Sequence, residues 1–266
     1  MRAATAQLAG GERNADRVLI GEDAVVVLDG ATAFEPVDLD PGEYAEAIGR
    51  QIIRRLPGAT IADAVAGAIR DTADAYDLRA GRSPSSTVSV LRVGDGETDL
   101  YVLGDSPIHY GTEQSVHVLR DTRLDDLASS ERIAYVEALR AGHGYTEQHR
   151  RALVQLQREQ RRHRNRSGGY WIAEADPSAA YHGVTRTVPR DAISWALLAT
   201  DGAADLLGER PHHAWSDIAA YDGDQLRDLL DRLHQWERDV DPDGQRLPRA
   251  KRHDDKTLVA VPDVFA

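Results

Sequence analysis

The sequence predicts an α+β fold, a β-sandwich covered by helices in one domain, and three observations carry that prediction. Short apolar runs recur in pairs across turn residues: Val18-Leu19-Ile20 with Ala24–Leu28 around Gly21-Glu22-Asp23, and Thr87–Val93 with Thr98–Leu103 around Gly94-Asp95-Gly96. Other segments space their apolar residues by three and four, as amphipathic helices do. The centre of the chain also reads as antiparallel β, with long helices preceding it.

In chain order, residues 2–8 read as a first strand, broken by Gly10-Gly11, and residues 12–17 as a polar turn. The Val-rich run 25–28 reads as a buried strand that ends on Asp29-Gly30. A polar stretch with Pro36 and Pro41 precedes a helix over 42–55, whose Tyr44, Ile48, Ile52 and Leu56 share one face before Pro57-Gly58 stops it. Thr60 with Asp63 resembles a capping box opening a helix through Ile61, Val65, Ala68, Ile69 and Tyr76. Ile108–Tyr110 and Ser115–Leu119 form a further hairpin joined by Gly111. Residues 121–166 are helical in pattern with a break at Gly142-His143-Gly144, and Ser167-Gly168-Gly169 ends them. Tyr170–Ala173 is a short apolar segment and Val184–Val188 alternates like a strand. The run 193–200 enters Asp201-Gly202 and a short helix containing Asp205-Leu206-Leu207. Residues 224–238 read as an amphipathic helix, 239–252 as a loop, and Thr257–Val261 as the closing strand.

Composition narrows the function. The chain has 266 residues, 41% hydrophobic and 29% charged, with no apolar run near the ~20 residues of a membrane span. No basic and apolar leader precedes a small-residue cleavage site, so the expected location is the cytoplasm. The absence of cysteine excludes thiolate zinc sites and a cysteine nucleophile. A net charge of −12 argues against a nucleic-acid or anionic-membrane binder. The balance is uneven, however: seven arginines (150, 151, 158, 161, 162, 164 and 166) face only Glu159 in that stretch, and the whole chain has two lysines. Such a run is either a solvated helix face or a surface for phosphate or an acidic partner.

Asp29, Asp105, Asp201 and Asp254 each border an apolar strand, where burial would make a lone carboxylate costly. Acids converging without arginines in their own loops imply a cation. Oxygen-only ligation suits Mg²⁺ or Mn²⁺ rather than zinc. Asp95 and Asp222, by contrast, sit in ordinary turns. The adjacent His212-His213 reads as a surface pair, since neighbouring side chains point apart.

The set Asn14-Ala15-Asp16, Asp29-Gly30, Gly104-Asp105-Ser106, Thr200-Asp201-Gly202-Ala203-Ala204-Asp205 and Asp254-Asp255-Lys256-Thr257 resembles the metal-dependent type 2C (PPM) serine/threonine protein phosphatases, in the family's order from residue 5 to 262. The resemblance implies a four-layer αββα sandwich of two antiparallel sheets flanked by helices. It implies that Asp29 bridges two metals with the Gly30 carbonyl, that Asp201 and Asp254 complete the first metal, and that Asp105 with Asp201 and Asp205 serves a third, weaker one. Asp16 and Asp255 would stand behind these ligands. The implied chemistry is in-line attack of a metal-activated water on a phosphorylated protein, without a phosphoenzyme. The region about 120–168 would be a helical, arginine-rich form of the family's substrate flap. Thr87 matches a small polar residue of the central strand, expected to be a packing feature.

The chain also departs from the family pattern. Ala15 replaces the usual glutamate of the second metal, and Gly11 stands at the position of a phosphate-binding arginine, leaving Arg13 as the substitute candidate. Ala31-Thr32-Ala33 replaces the glycines that usually follow Asp-Gly, and Pro107 follows Gly-Asp-Ser. Two other readings therefore stand beside a protein phosphatase: a degenerate member that binds a phosphoprotein without turnover, and a small-molecule phosphohydrolase.

Overall fold

The computed structural model describes residues 1–33, 37–208 and 215–265; Pro36 and His212-His213 lie outside the described residues. The strands are β1 (Ala4–Leu8), β2 (Arg17–Ile20), β3 (Ala24–Leu28), β4 (Gly30–Ala31), β5 (Ser85–Ser86), β6 (Val88–Val93), β7 (Glu97–Leu103), β8 (Ile108–Thr112), β9 (Ser115–Leu119), β10 (Val184–Pro189), β11 (Trp195–Ala199) and β12 (Lys256–Val261). The helices are α1 (Pro41–Arg55), α2 (Ile61–Ala75), α3 (Ser129–Arg140), α4 (Glu147–Arg162), α5 (Asp201–Gly208), α6 (Trp215–Ala219) and α7 (Gly223–Asp239).

Two five-stranded antiparallel sheets form the centre, ordered β1-β12-β11-β8-β9 and β10-β7-β6-β3-β2, with β4 and β5 as a small separate pair. Alternation along the strands sends one set of side chains between the sheets, where Val25, Val27, Leu91, Leu100, Val102, Leu198 and Val259 pack together. The opposite set of the second sheet, with Val26, Leu28, Val90 and Tyr101, packs against Tyr44, Ile48, Ile52, Val65 and Ile69 of α1 and α2. The outer face of the first sheet, through Leu197, Ala199, Leu258 and Ala260, is covered by α5, α6 and α7, with Leu226, Leu229, Leu230 and Leu233 as the buried stripe of α7. Helices therefore flank both sheets, an α+β arrangement of four layers.

Where the structure differs from the sequence reading, local chemistry explains it. Helix α1 starts at Pro41 because the Asp40 carboxylate caps Gly42 and Glu43, and proline fits the first turn. Thr60 accepts from the Asp63 N–H as expected, but the Asp63 carboxylate takes the Thr60 hydroxyl at 2.7 Å and leaves the cap half reciprocal. The full capping box belongs to Asp222 and Gln225, so the Asp222 turn is the start of α7. The 121–166 region folds as α3 and α4, packed on each other through Tyr135, Leu139 and Leu156. The two-residue strands β4 and β5 were too short to show any periodicity. Among the described residues, no helix is long and apolar enough to cross a membrane.

Candidate metal centre

Four sequence-predicted acids, Asp29, Asp105, Asp201 and Asp254, come together at the ends of β3, β7, β11 and β12, and Asp16 joins them from the start of β2. Asp29 follows the wholly buried β3, and its backbone is fixed on both sides by Thr87: the Asp29 N–H donates to Thr87 Oγ1 and the Thr87 N–H donates to the Asp29 carbonyl, each at 3.0 Å. Thr87 Oγ1 also meets Ser106 Oγ at 2.7 Å, tying the Gly104-Asp105-Ser106 loop to the same point. Thr87 is thus a positioning contact for two acids, more than the packing feature expected of it. Gly30 opens β4 in a crowded place: a Cβ there would lie 2.7 Å from the Pro41 carbonyl oxygen and 2.8 Å from that of Ala15. Only glycine fits, and the same contact places Ala15 beside Gly30.

Asp201 begins α5, and Gly202 packs so tightly on the next acidic loop that a Cβ would lie 2.1 Å from the Asp255 carbonyl oxygen. Asp254 and Asp255 lead into β12. Asp255 lies close enough for its charge to act on Asp16, but its oxygens are engaged by backbone donors. Its carboxylate accepts from the Gly10 N–H at 2.8 Å and the Ala15 N–H at 2.7 Å, fastening the 10–15 turn to the entry of β12. Asp16 is buried and clamps two strand ends, its Oδ2 accepting from the hydroxyls of Thr200 (2.8 Å) and Thr257 (2.7 Å). Asp205 lies one helical turn beyond Asp201, exposed, and its charge reaches Asp105. The Arg13 side chain is 82% exposed and pairs with Asp40 at 3.3 Å, next to the Pro41 carbonyl that packs on Gly30.

Crowded, poorly hydrated carboxylates resist ionisation. Burial first, and then the neighbouring charge of Asp16, Asp201, Asp254 and Asp105, hold Asp29 well above the usual carboxylate range. Burial raises Asp16 to about 7, against the pull of its threonine hydroxyls, and raises Asp105 to about 7 with Asp201 as the leading charge. Asp201 is raised by burial and by Asp254, with the Asp29 carboxylate in hydrogen-bonding contact. Asp16 Oδ1 and Asp201 Oδ1 are buried with no hydrogen-bond partner among the described residues. Buried acceptors left unpaired in an anionic cluster are places where a cation can bind. The donor set is all oxygen and anionic, and therefore fits hard divalent ions such as Mg²⁺ or Mn²⁺.

One cation of the protein does reach the array. Lys251 Nζ donates to Asp254 Oδ1 at 2.6 Å; burial works against its charge, but Asp254, Asp29 and Asp201 outweigh this and raise its pKa. Sequence reading missed Lys251, and it missed Thr200 and Thr257 as partners of Asp16. The signal for the first was available: both lysines of the chain flank Asp254-Asp255.

A second cluster, His234, Glu237 and His253, brings its ligand atoms within 4.8 Å of one another. It is an ion-pair hub instead of a cation site, since Lys256 Nζ lies 2.8 Å from Glu237 Oε2 and Arg249 Nε lies 3.6 Å from Oε1. In the basic segment, Arg150 and Arg151 pair with Glu147, and Arg162 with Glu159. Arg161 donates to the Gly81 carbonyl and Arg164 to the Tyr170 hydroxyl. Much of the run is therefore internally matched, with Arg158 and Arg166 exposed.

No protein-family model matches the chain, and no curated protein does. Solved structures do resemble it. The serine/threonine phosphatase PstP/Ppp of Mycobacterium tuberculosis superposes with a TM-score of 0.55 at 14% identity, covering 97% of this chain and 96% of that one. The PPM Ser-Thr phosphatase MsPP of Mycobacterium smegmatis, in complex with cacodylate, gives 0.53 at 18% identity over 98% of both chains. The catalytic domain of PstP in complex with two manganese ions gives 0.53 at 13% identity, covering 97% and 96%. At these identities the likeness is one of fold, and it extends over nearly the whole chain.

Proposed function

With the fold that of PPM-type phosphatases, we propose that the chain is itself a bacterial-type member of that family, a metal-dependent phosphatase acting on phosphoserine or phosphothreonine in proteins. The observation that carries the reading is the convergence of Asp29, Asp105, Asp201 and Asp254 on one rim, where burial and mutual charge suppress the ionisation of Asp29, Asp105 and Asp201, a repulsion that a bound cation would relieve. Asp29 and the Gly30 carbonyl would lie between two divalent ions, Asp201 and Asp254 would complete the first, and Asp105 with Asp205 would serve a third, weaker one. When bound, the ions supply an activated water and neutralise charge on the transferred phosphoryl group. The protein's part is to hold those carboxylates still: Thr87 fixes Asp29, Ser106 fixes the Asp105 loop, and Asp16 joins the ends of β11 and β12 through Thr200 and Thr257. In a single domain, the α3–α4 pair would face the phosphoprotein as a flap, with Arg158 and Arg166 as its open charges.

A second reading, a phosphoprotein-binding member without turnover, is favoured by Ala15 at a ligand position and by Lys251 on Asp254. Hydrolysis of an aryl phosphate with and without Mn²⁺ tests the choice. Mn²⁺-dependent turnover supports the enzyme; Mn²⁺ binding without turnover supports the binder.

A further inference from the structure

Beneath the acidic rim lies a group of buried charges that metal ligation does not use. Glu237, in the last turn of α7, is 1% exposed, and Lys256, the first residue of β12, is 0% exposed. Their charged atoms are 2.8 Å apart. His253 Nδ1 meets the same carboxylate at 2.9 Å, and Arg249 links Glu237 to the buried Asp241, which it contacts at 2.6 Å. The two buried carboxylates thus match two cations, and the cluster as a whole is close to neutral. A buried ion pair of this kind adds little stability over an apolar pair of similar size. Its geometry suggests a different use.

Lys256 Nζ does not stop at Glu237; it also donates to the backbone carbonyl of Asp254 at 2.9 Å. That carbonyl belongs to the residue whose carboxylate faces the acidic array. The same carbonyl is packed against Gly10, where a Cβ would lie 2.7 Å from the Asp254 oxygen, and the residue that follows is held by Gly202 against its carbonyl and by its own carboxylate on the 10–15 turn. An apolar residue at position 256 could fill the space but could not bind a carbonyl.

We propose that Lys256, oriented by Glu237, is a positioning residue that fixes Asp254 for metal binding and couples the end of α7 to the metal centre. This rests on Asp254 being a metal ligand. The ammonium is shared between a carboxylate that anchors it and a carbonyl that it anchors in turn, so that a shift of α7 is felt at Asp254.

The test separates position from packing. Lys256→Met alone leaves Glu237 short of a partner and is expected to unfold at lower temperature. Lys256→Met with Glu237→Gln removes both charges, keeps an amide for His253 and Arg249, and is expected to melt near wild type. Mn²⁺ binding is then measured by calorimetry on wild type and on the double variant. The expected result is ~10-fold weaker Mn²⁺ binding in the double variant, within the range for groups that support ligands. Unchanged Mn²⁺ affinity in a well-folded double variant overturns the proposal and leaves the metal reading intact. Wild type that binds no Mn²⁺ overturns both. Wild type that binds Mn²⁺ without hydrolysing a phosphoester removes the enzyme reading alone, and the positioning role then stands or falls on the double variant's affinity.

Discussion

The stability of the metal-free protein should fall as pH rises from about 4 to about 7, and divalent metal should reverse the trend. A carboxyl whose pKa is raised by folding keeps its proton in the folded chain while the unfolded chain has released it. The folded state then binds more protons across the window between the two values, and stability declines as pH rises through it. Asp16 moves from 3.8 to about 7 for reasons of burial first, so that ionising it in the folded protein costs about 4 kcal/mol more than in the unfolded chain. Asp105 moves over the same window, and both interact with Asp201, which makes the array titrate as a unit.

At ~2–4 °C per kcal/mol for a chain of this size, Asp16 alone corresponds to a drop of roughly 10 °C in Tm. Differential scanning fluorimetry in EDTA across this pH range reads the drop directly. With saturating Mn²⁺ the curve should flatten or rise, because the metal binds the ionised array and leaves the unfolded chain alone. Asp16→Asn should reduce the slope in EDTA, since an amide carries no charge yet still accepts from the Thr200 and Thr257 hydroxyls. A Tm in EDTA that is flat or rising between pH 4 and 7 would refute the reasoning. So would an Asp16→Asn variant with the wild-type slope.

Three further expectations follow from the site. Asp29→Asn and Asp254→Asn should each lower aryl phosphate hydrolysis at least ~100-fold, and EDTA should abolish it in wild type; full rates without metal would exclude a metal mechanism. Arg158→Ala with Arg166→Ala should raise KM for a phosphoprotein and spare an aryl phosphate, whereas equal effects on both substrates would return the segment to a solvated face. Ala15→Glu, beside Gly30, should lower the metal concentration at half activity by ~10–100-fold, and overlapping titration curves would place Ala15 outside the second metal's reach.

The fold was legible because its signals are local. The hairpins, the Tyr44–Leu56 and Leu226–Trp236 stripes, and the acid at the end of each apolar strand all follow from chain period and burial cost. Strand order across the two sheets was not, since β12 lying between β1 and β11 depends on pairings more than fifty residues apart in sequence. In the site, the carboxylates were recognisable as types, while their partners were not. Thr200 and Thr257 each sit in a recognised motif, but they meet Asp16 only because β11 and β12 are neighbours. The Arg13–Asp40 pair was equally hidden, because Asp40 is fixed as the cap of α1, far from Arg13 in sequence.

The departure at Ala15 is physically linked to Asp255, which stands where the PPM pattern often has asparagine. An asparagine at 255 would offer one acceptor oxygen, whereas the aspartate offers two, and the structure uses both, on the Gly10 and Ala15 N–H groups. A turn held through its backbone keeps its shape whatever side chain position 15 carries. The 10–15 turn therefore stays against Gly30 without the glutamate that a metal would otherwise draw in. The negative charge nearest that turn has moved from its side chain to the carboxylate that fastens it. Both oxygens of Asp255 are held by N–H donors, so a second ion of the proposed kind would find fewer anionic ligands while the geometry around Asp29 and Gly30 is retained. Restoring a carboxylate at position 15 adds a ligand to a turn already in place, with no new loop conformation to organise, which is why the Ala15→Glu gain should appear in metal affinity with little change in Tm.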